Sequence, residues 1–257
     1  MQARKSLVIG LGEVGSALVT VLEAAGPVLV HDVDPIDIFE PVGVMHICFP
    51  YYNAEQFKSA AESYIRRFDP VLVVINSTVV PGTTRDVARA TGAAIAYSPI
   101  RGKHVKMAED LRRYTKFVSG LTPDVTRRAE ESFQAAGMRT AAMDCPETLE
   151  LAKLAETTYF GLQITFAQEL NRFASRLGAD YSMATKFFKE IDFLPRQHYF
   201  PGVIGGHCVI PNIHLLQHVA ASPLLQVMLE SNELRRSELD LEESLKKKLT
   251  DESRDTE

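Results

Sequence analysis

The sequence predicts an α/β fold whose first part is a doubly wound, mostly parallel sheet and whose second part is all-helical with one long central helix. Three observations predict it. Short apolar runs alternate with helical segments from Ser6 to Ala142, and such alternation indicates a parallel sheet covered on both faces. The run Gly10-Leu11-Gly12-Glu13-Val14-Gly15 joins the first strand to the first helix. From Glu147 to Leu177 there is no proline and a single glycine, and apolar residues recur at spacings of three and four, the mark of an amphipathic helix.

Ser6-Leu7-Val8-Ile9 is the first strand. Gly10 permits the tight turn, Gly12 lets the backbone approach a pyrophosphate, and Gly15 lets helix and strand pack closely. The helix that follows, Ser16 to Ala25, offers free N–H groups and a positive dipole end to phosphates. Val28-Leu29-Val30-His31 is a second strand and ends at Asp32. Asp32 lies about twenty residues after the glycines, where a carboxylate accepts hydrogen bonds from ribose hydroxyls; its other reading is a strand-end turn residue. Val33-Asp34-Pro35 follows, with no arginine, so a 2′-phosphate meets only negative charge. The expected fold is Rossmann-like and the expected cofactor is NAD, facing Gly10, Gly12, Glu13, Val14, Gly15 and Asp32.

Val44 to Phe49 is the third strand and ends at Pro50, with Cys48 inside it as a core residue. Phe49 and Pro50 stand at its carboxyl end. Ala54 to Arg67 is a helix, and Val71 to Ile75 the fourth strand. Ser77 and Thr78 follow it, at the edge where ligands bind in open α/β sheets; they also suit capping and turn bonding. Ala93 to Tyr97 is the fifth strand and leads into Ser98-Pro99-Ile100-Arg101-Gly102-Lys103-His104. Arg101, Lys103 and His104 are candidates to hold an anionic substrate group, or belong to an ordinary solvated loop. Lys116 to Gly120 is a sixth strand, Pro123 to Ala136 a helix, and Met138 to Ala142 the last strand. The cofactor domain is expected to span residues 1–146.

A second domain is expected over residues 147–239. Leu151, Ala155, Thr158, Leu162, Phe166, Leu170, Phe173 and Leu177 make the periodic stripe of its first helix. At 1.5 Å per residue that helix is on the order of 45 Å long, a length that bridges domains or packs on a symmetry mate. Another helix runs from Tyr181 to Ile191. Phe200 to Asn212 then gathers Gly202, Gly205, Gly206, Pro201, Pro211, His207 and Cys208 into one stretch. Glycines there let the backbone come close to a ligand. Cys208 is a candidate nucleophile; free cysteine is also a common small core residue. Helices follow over Ile213 to Ala220 and Leu224 to Leu239. Residues 240–257 are almost wholly charged and are expected to be a frayed helix or a disordered tail.

Composition narrows the classes. The 257 residues are 46% hydrophobic and 24% charged, with a formal charge of −5, and the basic residues are scattered, so no nucleic-acid partner is expected. Three cysteines, at 48, 145 and 208, form no CxxC pair, and no metal site or disulfide framework is expected. The start of the chain reads directly into a strand, without a signal segment. No apolar run reaches the length of a membrane span. The cytoplasm is the expected setting.

In order, the glycine turn, Ser77-Thr78-Val79-Val80-Pro81-Gly82-Thr83-Thr84, the Ser98-Pro99 loop, Glu150-Leu151-Ala152-Lys153 and Pro201 to Cys208 resemble the UDP-glucose/GDP-mannose 6-dehydrogenase family, most closely its N-acetylated UDP-sugar branch. The resemblance covers residues 5 to 235. It implies an NAD-binding domain, a helical domain that pairs two copies through residues 147–177, and a third, nucleotide-binding domain, which this chain is expected to lack. It also implies oxidation of a primary alcohol through a covalent adduct on cysteine. On that pattern Cys208 is the nucleophile, Lys153 the ammonium that stabilises the oxyanion, and Gly205 and Gly206 belong to the substrate loop. Thr157 lies one helical turn from Lys153. His207 is a base or a structural hydrogen-bonding residue.

Three positions depart from the family pattern. Thr157 replaces an asparagine, Asn212 replaces an aspartate that assists proton transfer, and Ile100 replaces a glutamate implicated in hydrolysis. Asparagine cannot act as a general base. The leading expectation is therefore an NAD-dependent dehydrogenase acting on an alcohol or aldehyde, with a small-molecule substrate other than a full UDP-sugar. The alternatives are a non-catalytic NAD-binding dimer that regulates or partners another protein, and a β-hydroxyacid dehydrogenase-like enzyme that does not use Cys208.

Overall fold

The computed structural model describes residues 4–33, 38–102, 104–190, 192, 199–205 and 208–254. The chain divides into two compact units, Met1–Lys153 and Leu154–Glu257.

In the first unit seven strands are found among the described residues: β1 (Lys5–Ile9), β2 (Val28–His31), β3 (Val42–Ile47), β4 (Leu72–Ile75), β5 (Ile95–Tyr97), β6 (Lys116–Gly120) and β7 (Thr140–Ala142). Their order is β2-β1-β3-β4-β5-β6-β7. The first five are parallel; β6 runs against β5, and β7 runs with β6. Side chains alternate between faces, as strand geometry requires. Leu72 and Val74 enter one apolar layer, Val73 and Ile75 the other. The first layer is closed by α1 (Glu13–Leu22), α4 (Met107–Arg113) and α5 (Pro123–Ala135), through Leu18, Val21, Met107, Leu111 and Phe133. The second is closed by α2 (Ala54–Phe68) and α3 (Thr83–Thr91), through Phe57, Ala61, Ile65 and Val87. α4 has no counterpart in the sequence expectations: Met107, Ala108 and Leu111 are its apolar residues, too few for a periodic signal.

The second unit is helical. α6 (Pro146–Leu177) starts in the first unit and continues into the second, followed by α7 (Tyr181–Lys186), α8 (Val209–Val219) and α9 (Pro223–Arg254). Ile204, Val209, Ile213, Leu225 and Met228 form its buried cluster. Gly161 is where α6 and α8 meet: a Cβ built there would lie 2.5 Å from Val209 Cγ1.

The division between the two compact units falls after Lys153, inside α6. The first turns of α6 are bound to α3 by hydrogen bonds from Arg85 to Glu147 and from Gly82 and Thr84 to Glu150. Next, α8 begins directly after Cys208 and not at Ile213. Pro211 sits in its first turn, where a missing N–H costs nothing. Asn212 is therefore a helical residue. α9 runs on to Arg254, so the stretch from residue 240, expected as a frayed helix or a disordered tail, is helical as far as that residue. No glycine or proline interrupts that stretch, and Lys247 pairs with Glu243 one turn away at 3.4 Å, an arrangement that supports isolated helix.

Candidate functional site

The sheet reverses its winding between β1 and β3, and the glycine turn lies at the carboxyl end of β1, the position where open α/β sheets bind ligands. Gly10 has a φ of 90°, and a Cβ on it would meet Phe49 N at 2.8 Å. A Cβ on Gly15 would lie 1.8 Å from Gly10 O, so no side chain fits. Gly12 behaves differently: nothing stands within 4 Å of where its Cβ would be. It is the N-cap of α1 and provides no side-chain cap. The first N–H groups of α1 therefore face a surface that a phosphate can occupy. Glu13 is exposed and Val14 half-buried in the first turn.

Asp32 sits just past β2. Its Oδ2 accepts from Leu11 N at 3.1 Å and its Oδ1 from Val33 N at 2.9 Å. The carboxylate is thus oriented by the glycine turn itself and remains exposed, as a ribose acceptor requires. Ser77 is buried, and its hydroxyl donates to Phe49 O at 2.6 Å. It ties the loop after β4 to the loop after β3, leaving Thr78 half-buried and Pro50 exposed at that edge. Together these groups fit a dinucleotide of the NAD type: an open helix N-terminus for the pyrophosphate and a fixed carboxylate for the ribose.

The residues expected to hold a substrate anion fare differently. Arg101 Nη2 donates to Thr115 O at 2.7 Å, and its guanidinium lies 5.0 Å from the centre of the Phe117 ring. It acts as a brace for the loop after β5. Ile100 is buried in the first apolar layer, with Met107 and Leu111. Lys103 lies outside the described residues. His104 begins a short 3-10 turn over His104–Lys106.

Two buried polar groups in this unit carry no signal in the sequence pattern. Glu150 is fully buried, and its carboxylate accepts from Gly82 N at 2.6 Å, Thr84 N at 2.9 Å and Thr84 Oγ1 at 2.6 Å. It caps α3 from a distant helix. Lys116, 4% exposed, donates to Ser98 O at 2.6 Å, Pro99 O at 3.1 Å and Asn76 Oδ1 at 3.3 Å. It pins the ends of β4 and β5 together. Burial is the largest cause lowering its pKa, to about 7, with Cys48 opposing and the Lys153 and Arg101 charges adding. Nearby, burial holds His46 neutral, with its pKa lowered to about 3, and pushes the Cys48 thiol up to about 12.

Lys116 makes a pH prediction. Its folded pKa of about 7 lies below the ordinary 10.5. Between those values the unfolded chain binds the extra proton, so stability rises with pH there. The contribution is on the order of 1.4 kcal/mol per pH unit at most. Urea denaturation at intervals from pH 7 to pH 10 should show this rise in wild type and a flatter profile in Lys116→Met. Identical profiles would remove the buried-cation account.

The second unit carries the cysteine. Cys208 is exposed and is the N-cap of α8. One turn on, Asn212 is buried; its N donates to Cys208 O at 3.2 Å and its Nδ2 to Thr157 Oγ1 at 2.8 Å. Thr157 Oγ1 in turn donates to Leu154 O at 3.0 Å. Two of the three departures from the family pattern are thus each other's partners, and the pair is neutral. Lys153 is half-buried one turn before Thr157 on α6. Gly205 is exposed, with open space where a Cβ would stand. Gly206 and His207 lie outside the described residues. Among the described residues no group of three His, Cys, Asp or Glu side chains is placed to hold a metal ion, and no helix is long and apolar enough to cross a membrane.

Comparison with known proteins agrees with this geometry. The pattern of the UDP-glucose/GDP-mannose dehydrogenase family, central domain, matches residues 147–233. A UDP-N-acetyl-D-glucosamine 6-dehydrogenase of Salmonella typhi is 30% identical over 162 residues, 57% of this chain and 37% of that enzyme. The chain therefore matches little more than a third of this curated relative. Among solved structures, a UDP-D-ManNAc dehydrogenase from Pyrococcus horikoshii superposes with a TM-score of 0.82 at 21% identity, over 95% of this chain and 72% of that one. The Mycobacterium tuberculosis 3-hydroxyisobutyrate dehydrogenase superposes with a TM-score of 0.72 at 16% identity, over 92% and 94%. At such identities the structural likenesses establish the fold alone.

Proposed function

We propose that this chain, whose residues 147–233 match the central domain of the UDP-glucose/GDP-mannose dehydrogenase family, belongs with that family's UDP-N-acetyl-sugar branch and is an NAD-dependent dehydrogenase that oxidises an alcohol or aldehyde carbon with Cys208 as nucleophile. The observation that supports this most is the exposed Cys208 thiol at the start of α8, in a chain whose glycine turn and Asp32 suit NAD. Bound NAD supplies the hydride acceptor. Lys153 supplies the ammonium that favours thiolate and oxyanion, and the thiolate adds to the aldehyde carbon to give a thiohemiacetal.

Full oxidation to a carboxylate needs a base that takes a proton from water. The residue after Pro99 is Ile100, sealed in the core, and the fourth after Cys208 is Asn212, bonded to Thr157. Neither accepts that proton. The proposed reaction therefore takes an alcohol to the aldehyde, with one hydride passed to NAD and the hydroxyl proton released; the thiohemiacetal then reverts, expelling the Cys208 thiolate and freeing the aldehyde, and the altered pair at Thr157 and Asn212 favours a substrate other than a full UDP-sugar. Two copies are proposed to pair through α6. A non-catalytic NAD-binding partner subunit is the second reading, favoured by the same two residues. A β-hydroxyacid dehydrogenase-like enzyme is the third, and its activity would survive Cys208→Ala.

Iodoacetamide labelling tests the nucleophile. Cys48 is buried with its thiol held protonated, and Cys145 is half-buried, with its Sγ 3.0 Å from Thr148 Oγ1. Cys208 should react roughly tenfold faster than either, at a rate that NAD alters. Equal and slow labelling of all three thiols would leave the non-catalytic reading in place.

A further inference from the structure

We infer that Asn232, on α9, is the positioning residue of the Cys208 loop; the inference rests on the reading of Cys208 as nucleophile. The loop before Cys208 carries three glycines, Gly202, Gly205 and Gly206, and such backbone has little order of its own. Its order comes from side chains on two helices. Asn232 Oδ1 accepts from Ile204 N at 2.6 Å, and Asn232 Nδ2 donates to Ile204 O at 3.1 Å. One amide thereby satisfies both backbone groups of one residue. Asn232 is 1% exposed and Ile204 2%.

The clamp is itself held. Gln168, fully buried on α6, donates from Nε2 to Gly202 O at 2.7 Å and to Asn232 Oδ1 at 3.4 Å. Its Oε1 lies 3.0 Å from Ser231 Oγ, and the Gly202 carbonyl, which can only accept, fixes which way the amide faces. Arg235 reaches Pro201 O from the next turn of α9. The carbonyls of Pro201, Gly202 and Ile204 and the N–H of Ile204 are thus all taken by buried or half-buried side chains.

Cys208 is connected to this anchor by a short span. Ile204 and Val209, four positions before and one after Cys208, are both buried in the same apolar cluster. Freeing Ile204 releases the first of these two anchors. Asparagine is the residue type this task needs, because its acceptor and donor stand side by side. Aspartate has no donor for Ile204 O, and in this buried place adds an unpaired charge.

Backbone amide exchange and thiol labelling together test the inference. In wild type the Ile204 amide should exchange slowly, while the amides of Gly202 and Gly205, for which no donor bond is seen among the described residues, exchange fast. In Asn232→Leu, which removes the acceptor, the Ile204 amide should exchange about tenfold faster or more, the loss of one buried hydrogen bond. The ratio of Cys208 to Cys145 alkylation rates should fall roughly tenfold in the same protein, as expected when a reacting group loses its placement. Asn232→Ser gives the same comparison with less perturbation. If neither variant folds, the wild-type exchange at Ile204 still decides. Rapid exchange there, or an unchanged alkylation ratio in a variant whose Ile204 amide has been released, overturns the inference. A wild-type Cys208 no faster than Cys145 instead sinks the nucleophile reading, and the exchange data still show whether Asn232 holds the loop.

Discussion

Glu150→Ala should lower the stability of the first unit by about 3–5 kcal/mol, the cost of stranding buried donors plus a cavity. The carboxylate is fully buried and accepts from two backbone N–H groups and one hydroxyl at the start of α3. Without it, Gly82 N and Thr84 N lose their acceptor. Glu150→Gln keeps the shape but turns an NH2 toward a donor, so a loss of about half that size is expected. Urea denaturation at pH 7 measures both. The carboxylate also has a pH signature. Burial raises its pKa above 4.5 even against the hydrogen bonds from Thr84 and Gly82. Its ionised form is therefore the costly one. The contribution of Glu150 is most favourable below pH 4.5 and declines as pH rises through the folded value. Glu147, bonded to Arg85, has a lowered pKa, and its contribution runs the other way, lost as pH falls. A Glu150→Ala protein within 1 kcal/mol of wild type would show that the cap on α3 is dispensable.

The fold was largely legible because its signals are local. Alternating strands and the glycine turn state their own geometry, and Asp32 follows from its distance along the chain. What could not be read arises between residues far apart in sequence. Glu150 looks like one more helix glutamate until α3 is seen against it. Lys116 reads as a strand-end lysine, and only the turn of Ser98-Pro99 over its ammonium shows that it is buried. Asn232 sits in a helix rich in charge, and nothing in its spacing pairs it with Ile204. Arg101 shows the converse. Its place in a cationic loop suggested an anion site, but a carbonyl, Thr115 O, and a ring, Phe117, within reach are enough to occupy it. The pairing of Thr157 with Asn212 likewise turns two separate departures into one local change, from charged to neutral.

Phe166→Glu combined with Phe173→Glu should leave a folded monomer, on the proposed pairing of copies through α6. The periodic stripe read from the sequence is buried within the unit only in part, at Thr158 and Leu162. Leu154, Thr165, Gln168 and Ala174 are buried, whereas Tyr159, Phe166, Phe173 and Leu177 are 55%, 59%, 54% and 82% exposed. Tyr159, Phe166 and Phe173 are seven residues apart, so they share one side of the helix. An exposed aromatic row of this kind suits an interaction surface, and in the proposed pairing two copies of α6 present it to each other. Each aromatic buried contributes about 1.5–3 kcal/mol, against a comparable total for lost rigid-body freedom. Replacing two of them per copy removes that gain and adds carboxylates that must be desolvated against each other. Weakening by roughly three orders of magnitude or more is expected. Light scattering at micromolar concentration reads the mass, and circular dichroism checks that the helices remain. A wild-type chain that is already monomeric, or a double variant with unchanged mass, would assign the row to some other contact.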